Sequence, residues 1–402
     1  MNDTPRSNRL HIAILGRRNA GKSSLINALA GQDVALVSDV PGTTTDPVYK
    51  AMELREVGPV VFIDTPGIDD EGKLGMARVS RTLKAINKAD IAVLVVDVRE
   101  GFGGPEKKVL EELGRRRVPV VGVLNKMDAV GSEGNHSLCA RSDSLRDFVP
   151  VSALTGHGIE ELLARLSSVI KERKLEQERP IVGDLVRPGD VVFLVIPIDV
   201  EAPKGRLILP QVQTIRDILD HNGVVVMTKV SELKEALVTA GRLPRLVITD
   251  SQVFHEVDSI VPPEIPLTSF SILFARYKGS LDDLIEGTQA LERLRPGDAV
   301  LIAEACTHHP VEDDIGKVKI PRWLQKKVGG ELDFAWCRGG DFPDDLEKFK
   351  VIVHCGGCML NRREMLSRIY EAKEAGVPIT NYGMTIAYAN GILKRALAVF
   401  HR

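Results

Sequence analysis

Cysteine is scarce in this sequence: five occur in 402 residues, at 139, 306, 337, 355 and 358. An odd, sparse set in a chain of this length excludes a disulfide framework. Net charge is nearly absent as well, with 53 Lys and Arg against 55 Asp and Glu. No global positive field therefore recruits nucleic acid or an anionic membrane, although a local basic patch is not excluded. Long apolar runs are also missing. The longest, Ile91–Val96 and Val191–Ile196, are strand-sized and fall far short of the roughly 18 residues of a membrane span. The opening MNDTPRSNRL lacks the apolar centre of a signal peptide. These absences lead us to expect a soluble, cytoplasmic protein. What is present is ordinary: 44% hydrophobic and 27% charged residues supply apolar mass for several cores and exclude wholesale disorder. The length suggests roughly two to four domains.

From Leu10 to about Arg173 short apolar runs (HIAIL, VVFI, IAVLVV, VPVVGVL) alternate with amphipathic helical stretches. That alternation is the mark of βα units around a mainly parallel sheet. A charged stretch, Lys171–Arg179, followed by Pro180 reads as a helix end and a linker. A second, smaller α/β segment is expected over 180–261, closed by the Pro-rich Val261–Pro266. A third α/β segment follows over 267–402, after a first domain over 1–175. The phrase R-P-G-D-x-V occurs at Arg187 and again at Arg295. A tight turn feeding a strand explains it more simply than a duplication.

Gly16-Arg-Arg-Asn-Ala-Gly21-Lys22-Ser23 fits G-x-x-x-x-G-K-[ST] between a strand and a helix. The glycines let backbone N–H groups wrap phosphates at the helix N-terminus. Gly16, Asn19, Ala20, Gly21, Lys22, Ser23 and Ser24 then line a phosphate site. Lys22 reaches the β- and γ-phosphates, and Ser23 binds Mg2+. Asp64-Thr-Pro-Gly67 ends a strand, with Asp64 toward Mg2+ and the Gly67 amide toward the γ-phosphate. Asn125-Lys126-Met-Asp128 ends another. The Asp128 carboxylate can accept the guanine N1 and amino hydrogens, an arrangement adenine does not offer. Ser152-Ala153-Leu154 follows a further strand and can offer N–H to guanine O6. Four motifs in this order resemble the translation-factor-related GTPase superfamily, which implies a P-loop GTPase domain and GTP as its ligand. Pro41-Gly-Thr43-Thr44-Thr45-Asp46 resembles the first switch of the tRNA-modifying and ribosome-assembly GTPases, and that resemblance places Thr44 on Mg2+ and the γ-phosphate. Lys22, Thr44 and Gly67 are the expected catalytic group.

Two residues bear on rate. Ile68 stands where Ras-like proteins carry a water-orienting Gln, so hydrolysis should be slow without another source of charge or water placement. Asn19 occupies the loop position that helps coordinate K+ in potassium-activated members of the superfamily. Its bland alternative is a loop-stabilising hydrogen bond.

Near the other end stand Cys306-Thr-His308 and, 45 residues on, His354-Cys355-Gly-Gly-Cys358. Each half follows an expected strand, and open α/β sheets place ligands outside the carboxyl ends of their strands. The paired glycines permit a tight loop that aims two thiolates at one centre. Buried free cysteines are the bland reading, and they suit Cys139 and Cys337 taken singly. A tetrahedral zinc site of Cys306, His308, Cys355 and Cys358 is chemically sensible. So is an iron–sulfur cluster on three thiolates with its fourth position left to a weaker ligand. Spacing does not separate the two.

A GTPase domain, a middle α/β domain and a terminal C-x-H…H-C-x-x-C together resemble the [FeFe]-hydrogenase maturation GTPases along the whole chain. That resemblance implies a [4Fe-4S] cluster on Cys306, Cys355 and Cys358 with a labile or exchangeable fourth site, for which His308, His354, Glu304, Glu312 and Asp313 are the local candidates. It implies a scaffold that receives a diiron precursor, with radical S-adenosylmethionine maturases and apo-[FeFe]-hydrogenase as partners and the middle domain as a dimerisation unit. The competing expectation is a tRNA-modification or ribosome-assembly type GTPase with a zinc-stabilised end. Residues 267–402 hold 19 Lys and Arg against 18 Asp and Glu and no evident KH-type GXXG module, which weighs against RNA.

Overall fold

The structure, a computed structural model, describes residues 5–31, 36–40, 48–54, 57–68, 73–130, 147–173, 179–197, 207–305, 314–339, 342–343, 345–357 and 360–400. Thr44, Cys139, Cys306, His308, Glu312, Asp313 and Cys358 lie outside the described residues. The chain divides into two compact units, 1–178 and 179–402. Among the described residues no helix is long and apolar enough to cross a membrane.

The first unit is built on seven strands: β1 Leu10–Gly16, β2 Leu36–Val40, β3 Val48–Leu54, β4 Gly58–Asp64, β5 Ile91–Asp97, β6 Val120–Asn125 and β7 Val149–Pro150. They lie in the order β2-β3-β4-β1-β5-β6-β7. From β4 to β7 all pairs are parallel, while β2 and β3 run antiparallel at one side. All seven positions of β5 are buried, as expected for a β-branched apolar run covered on both faces. Helices α1 Lys22–Ala30, α2 Lys73–Lys88, α3 Gly104–Arg115 and α4 Ile159–Glu172 make the crossovers and the closing layer. Ile159, Leu162, Leu166, Val169 and Ile170 form one stripe of α4 and pack on Val93, Val123 and Ile12. Gly103 at the start of α3 donates its N–H to Glu106 Oε2 at 2.9 Å, holding the helix entrance closed. This sheet puts Gly16, Asp64, Asp97 and Asn125 at the carboxyl ends of neighbouring parallel strands.

The second unit holds two four-stranded parallel sheets. One has β8 Val191–Val195, β9 Val224–Thr228, β10 Leu246–Thr249 and β11 Leu267–Ser269, in the order β9-β8-β10-β11. The other has β12 Ala299–Glu304, β13 Asp333–Arg338, β14 Val351–His354 and β15 Ile379–Asn381, in the order β13-β12-β14-β15. Counted within each sheet, both read second-first-third-fourth. Helices α5 Leu209–Asp220, α6 Leu233–Thr239, α7 Phe254–Ile260 and α8 Phe270–Lys278 belong to the first. Helices α9 Leu281–Ala290, α10 Ile320–Val328, α11 Arg362–Glu374, α12 Tyr382–Ala389 and α13 Leu393–Leu397 follow.

The likeness of the two sheets extends to single bonds. The two R-P-G-D turns feed β8 and β12, the corresponding first strands. Arg187 N–H donates to Asp190 Oδ2 at 2.9 Å, and Arg295 N–H to Asp298 Oδ2 at 2.8 Å. Gly189 and Gly297 have φ of 81° and 87° and donate to Asn222 O and Glu331 O, each at 2.8 Å. The fourth strands each run into a helix through a side-chain cap, Ser269 accepting from Ile272 N–H and Asn381 from Met384 N–H. The repeated phrase is thus both turn chemistry and the trace of an internal repeat. Two residues past each cap, Ser271 and Gly383 meet, and a Cβ on Gly383 would overlap that of Ser271. The corresponding helices α8 and α12 cross at corresponding positions.

One core joins the repeats: Phe193, Val247 and Leu267 from the first sheet pack with Leu301, Ile352 and Ile379 from the second. The Pro-rich Val261–Pro266, expected to close the middle segment, instead leads into β11, which pairs with β10 in parallel. Two sheet margins are covered. Thr268 Oγ1 on β11 donates to Ala396 O at 2.9 Å, and Gly287 lies so close to Ile379 O on β15 that no Cβ fits. The opposite margins, β9 and β13, expose Val224, Met227 and Trp336 by 43%, 54% and 43%.

Candidate functional site

The loop between β1 and α1 turns through Asn19 at φ 60° and Gly21 at φ 90°. Lys22 is buried, and its Nζ donates to Gly16 O at 3.0 Å and Arg17 O at 2.7 Å. Ser23 Oγ donates to Asp64 Oδ2 at 2.6 Å. Asp64 is brought there by the β1–β4 register, in which it lies beside Ile14. Asp64 Oδ1 is buried with no hydrogen-bond partner among the described residues. A hydroxyl and an unsatisfied carboxylate oxygen at the start of a helix are a donor set suited to a hard divalent cation such as Mg2+. Ile68 N–H donates to Gly16 O at 3.3 Å, so Gly67 is held against the same loop. The Ile68 side chain packs with the apolar cluster of Ala13 and Leu15.

Beyond β6, Asn125 Nδ2 donates to Ala20 O at 2.9 Å and its Oδ1 accepts from Ala153 N–H at 3.1 Å. This one amide ties three of the sequence motifs together. Ser152 Oγ donates to Asp128 Oδ1 at 2.5 Å and leaves the exposed carboxylate open on its other side. Lys126 sits at φ 68°, and its Nζ donates to Asn19 O at 2.5 Å and Asp97 Oδ2 at 2.7 Å.

Asp97 was not among the sequence candidates. It ends the wholly apolar β5 and also binds Arg99 through Nη2 at 2.6 Å. Burial pushes its carboxyl up, but the hydrogen bonds of Arg99 and Lys126 together outweigh burial and hold it well below the usual carboxylate range. The signal was available, since a lone carboxylate closing an apolar strand faces the ligand edge of a parallel sheet. Arg17 pairs with the buried Glu106, Nε to Oε1 at 2.7 Å, and so fixes the same loop to α3.

In the second unit, β12 and β14 are neighbours, with Ala303 beside His354. At their carboxyl ends Ala305 N–H donates to Cys355 Sγ at 3.1 Å. Cys306, the next residue in sequence after Ala305, lies outside the described residues. Cys337 lies on β13 beside Ala303. Glu304 is 2% exposed and has both oxygens engaged, by Arg338 Nε at 2.8 Å and Tyr382 Oη at 3.2 Å. Burial, with Glu304 and Cys355 beside it, pushes the Tyr382 hydroxyl well above its ordinary value, which keeps it a donor.

His354 is fully buried. Its Nδ1 lies 2.7 Å from Cys355 O and its Nε2 lies 2.8 Å from Arg368 Nη1. Burial first, and Arg368 second, lower its pKa to about 3, so the ring is neutral. Both ring nitrogens are used within the protein. A metal at Nε2 would have to displace Arg368. Among the described residues no group of three or more His, Cys, Asp or Glu side chains forms a metal site.

Three family models match the chain. Residues 11–126 match the 50S ribosome-binding GTPase, 181–279 the hydrogen maturase F dimerization domain, and 282–399 the hydrogen maturase F tetramerization domain. The boundary between the last two falls between α8 and α9, at the junction of the two repeats. GTPase Der of Kosmotoga olearia is 35% identical over 188 residues, 44% of this chain and 42% of that protein. The tRNA modification GTPase MnmE of Chromobacterium violaceum is 39% identical over 162 residues, 40% of this chain and 35% of that protein. The chain therefore spans less than half the length of these curated relatives. A crystal structure of Aquifex aeolicus Era bound to GDP.AlF4- is 21% identical, covers 55% of this chain and 92% of its own, and has a TM-score of 0.33.

Proposed function

Because the chain belongs to the hydrogen maturase F family, whose two own domains span more than half of it, we propose that it is a GTP-hydrolysing scaffold and carrier in [FeFe]-hydrogenase maturation. In this reading Cys306, Cys355 and Cys358 hold a [4Fe-4S] cluster. The chain receives a diiron precursor whose ligands come from radical S-adenosylmethionine maturases, and it passes the precursor to apo-[FeFe]-hydrogenase. The hydrogen bond from Ala305 to Cys355 Sγ carries the reading, because it ties the residue just before Cys306 to the motif separated from His308 by 45 residues. Three soft thiolates suit iron and sulfide, and an iron without a protein thiolate is open to a bridging ligand from a second metal fragment.

The nucleotide end works as a slow switch. Lys22 and the loop amides bind the phosphates, Ser23, Thr44 and Asp64 hold Mg2+, and Asp128 with Ser152 and Ala153 selects guanine. Mg2+ supplies neutralisation of phosphate charge when bound. Ile68 offers no polar group to orient water, so turnover depends on added charge, and Asn19 is placed on the loop to help hold K+. Equal hydrolysis rates in matched KCl and NaCl would remove the potassium role.

Iron and sulfide analysis after anaerobic reconstitution tests the carrier reading. The expected result is an iron–sulfur absorption that is lost when Cys355 is changed to Ser. One zinc per chain with no such absorption would overturn it in favour of the zinc-stabilised GTPase. The similarity to Der and MnmE covers 44% and 40% of this chain, less than the two maturase F domains together.

A further inference from the structure

We propose that Arg368 is a positioning residue for the cysteine site: acting through His354, it fixes the turn that begins at Cys355. The inference rests on the carrier reading above and adds a residue that lies outside the cysteine motif.

Arg368 belongs to α11 and is 3% exposed. A guanidinium only donates. Its Nη1, 2.8 Å from His354 Nε2, therefore requires the lone pair at that nitrogen. The ring proton must sit on Nδ1, which donates to Cys355 O at 2.7 Å. One cation thus selects the tautomer, and the tautomer fixes the first peptide of the cysteine turn. The other arm, Nη2, donates to Gly339 O at 2.6 Å, one residue past β13. In the sheet order β13-β12-β14 the guanidinium spans the carboxyl ends of the two strands that flank β12. The end of β12 leads to Ala305 and then Cys306.

Cys355 is held from both sides as a result, its carbonyl by His354 and its sulfur by Ala305 N–H at 3.1 Å. Glu364, one turn away at 3.9 Å, and the Phe342 ring, at 5.3 Å, complete the surroundings of the cation. Burying a guanidinium costs several kcal/mol unless its donors are met, so a merely space-filling position favours an apolar residue. Here the donors are spent on the strand ends that carry the site.

Four variants of the full chain test this: R368M, R368K, H354A and H354Q. Lysine still donates to His354, and glutamine both accepts from Arg368 and donates to Cys355 O. Two readouts apply. The first is the alkylation rate of Cys355 in metal-free protein, located by peptide mass spectrometry. The second is the electron paramagnetic resonance spectrum of the reduced, reconstituted cluster. Loss of a buried hydrogen bond predicts about tenfold faster alkylation in R368M and H354A, with altered g-values. R368K and H354Q remain near the parent, and GTP hydrolysis without partners is unchanged throughout. Parent-like alkylation and spectrum in R368M would overturn the proposal. So would H354Q departing from the parent as far as H354A does, since the ring nitrogen would then be a ligand. A parent that takes up no cluster refutes the carrier reading instead, and the alkylation rates then decide on Arg368 alone.

Discussion

Asp97 holds two positive groups at the edge of the nucleotide loop, and its partner Lys126 reaches across to Asn19 O. Asp97→Asn keeps the shape and removes the charge. Lys126 is a quarter exposed and Arg99 half exposed, so screening reduces the loss. We expect GDP affinity to fall about tenfold, about 1.4 kcal/mol, as read by titration with a fluorescent nucleotide. The carboxyl is held below its ordinary range, so its contribution is present at neutral pH and fades only as pH falls below about 4. His11 loses stability in the same direction, with burial rather than hydrogen-bond partners as the cause. Burial lowers its pKa to about 4, so the folded state keeps it neutral while the unfolded chain takes up a proton near pH 6.5. Stability is full above that value and drains as pH falls from about 6.5 to 4, on the order of 3 kcal/mol. His11→Asn should flatten this decline, measured by hydrogen exchange of β1 amides at pH 7.5 and 5. At this scale the sequence was legible where chemistry fixes spacing. Lys22, Ser23, Asp64, Asn125 and Asp128 fall on one edge because Lys22 and Ser23 begin α1, Asp64 and Asn125 close strands, and Asp128 lies in the turn that follows β6. Asp97 carried the same kind of signal at the end of β5, whereas Glu106 and Arg368 were not legible as site residues, because each acts through a partner outside its own element.

Strands were readable as elements because β-branched runs such as those of β5, β6 and β8 have few alternatives. What a run buries is a different matter. Val224–Met227 is an unbroken apolar run, yet β9 is the margin of its sheet and exposes two of these four side chains. An apolar margin of this kind is a site for pairing. With the dimerization family model spanning it, β9 is our choice for contact with a second copy. Val224→Lys with Met227→Lys should turn a dimer into a monomer in sedimentation velocity while GTP binding persists. A dimer that survives the double change would place the contact elsewhere. The repeat also escaped a reading by sequence. Outside R-P-G-D its equivalence is carried by backbone bonds and by caps of different chemistry, Ser269 and Asn381.

At the scale of the whole molecule, the division between 1–178 and 179–402 was signalled by the charged stretch before Pro180. The expected division within the second unit was not a cut between independent bodies, because the apolar core runs through both sheets. A fragment of residues 179–402 should therefore unfold in one transition, with Trp323 and Trp336, the only tryptophans of the chain, as reporters. Residues 267–402 alone should lack that transition, since they would take β11 from its sheet and bare half the core. A cooperative melt of that shorter piece would show that each repeat stands by itself.

The two uncovered margins, β9 and β13, have a further consequence. Among the described residues each repeat satisfies its inner margin within the chain and leaves its outer one open, which offers two valences of unlike composition. Self-pairing at one alone stops at two copies. Self-pairing at both continues, and it ends at a closed ring of four or runs on as a filament, according to the angle between the two axes. Were β9 to pair copies, growth from pairs to larger assemblies would fall to the second margin. That margin begins at Asp333, shows Trp336 at its surface, and ends beside the residues that brace the cysteines. A second copy seated on β13 would cover the strip of sheet beside the cysteine site, so assembly there would restrict access to it.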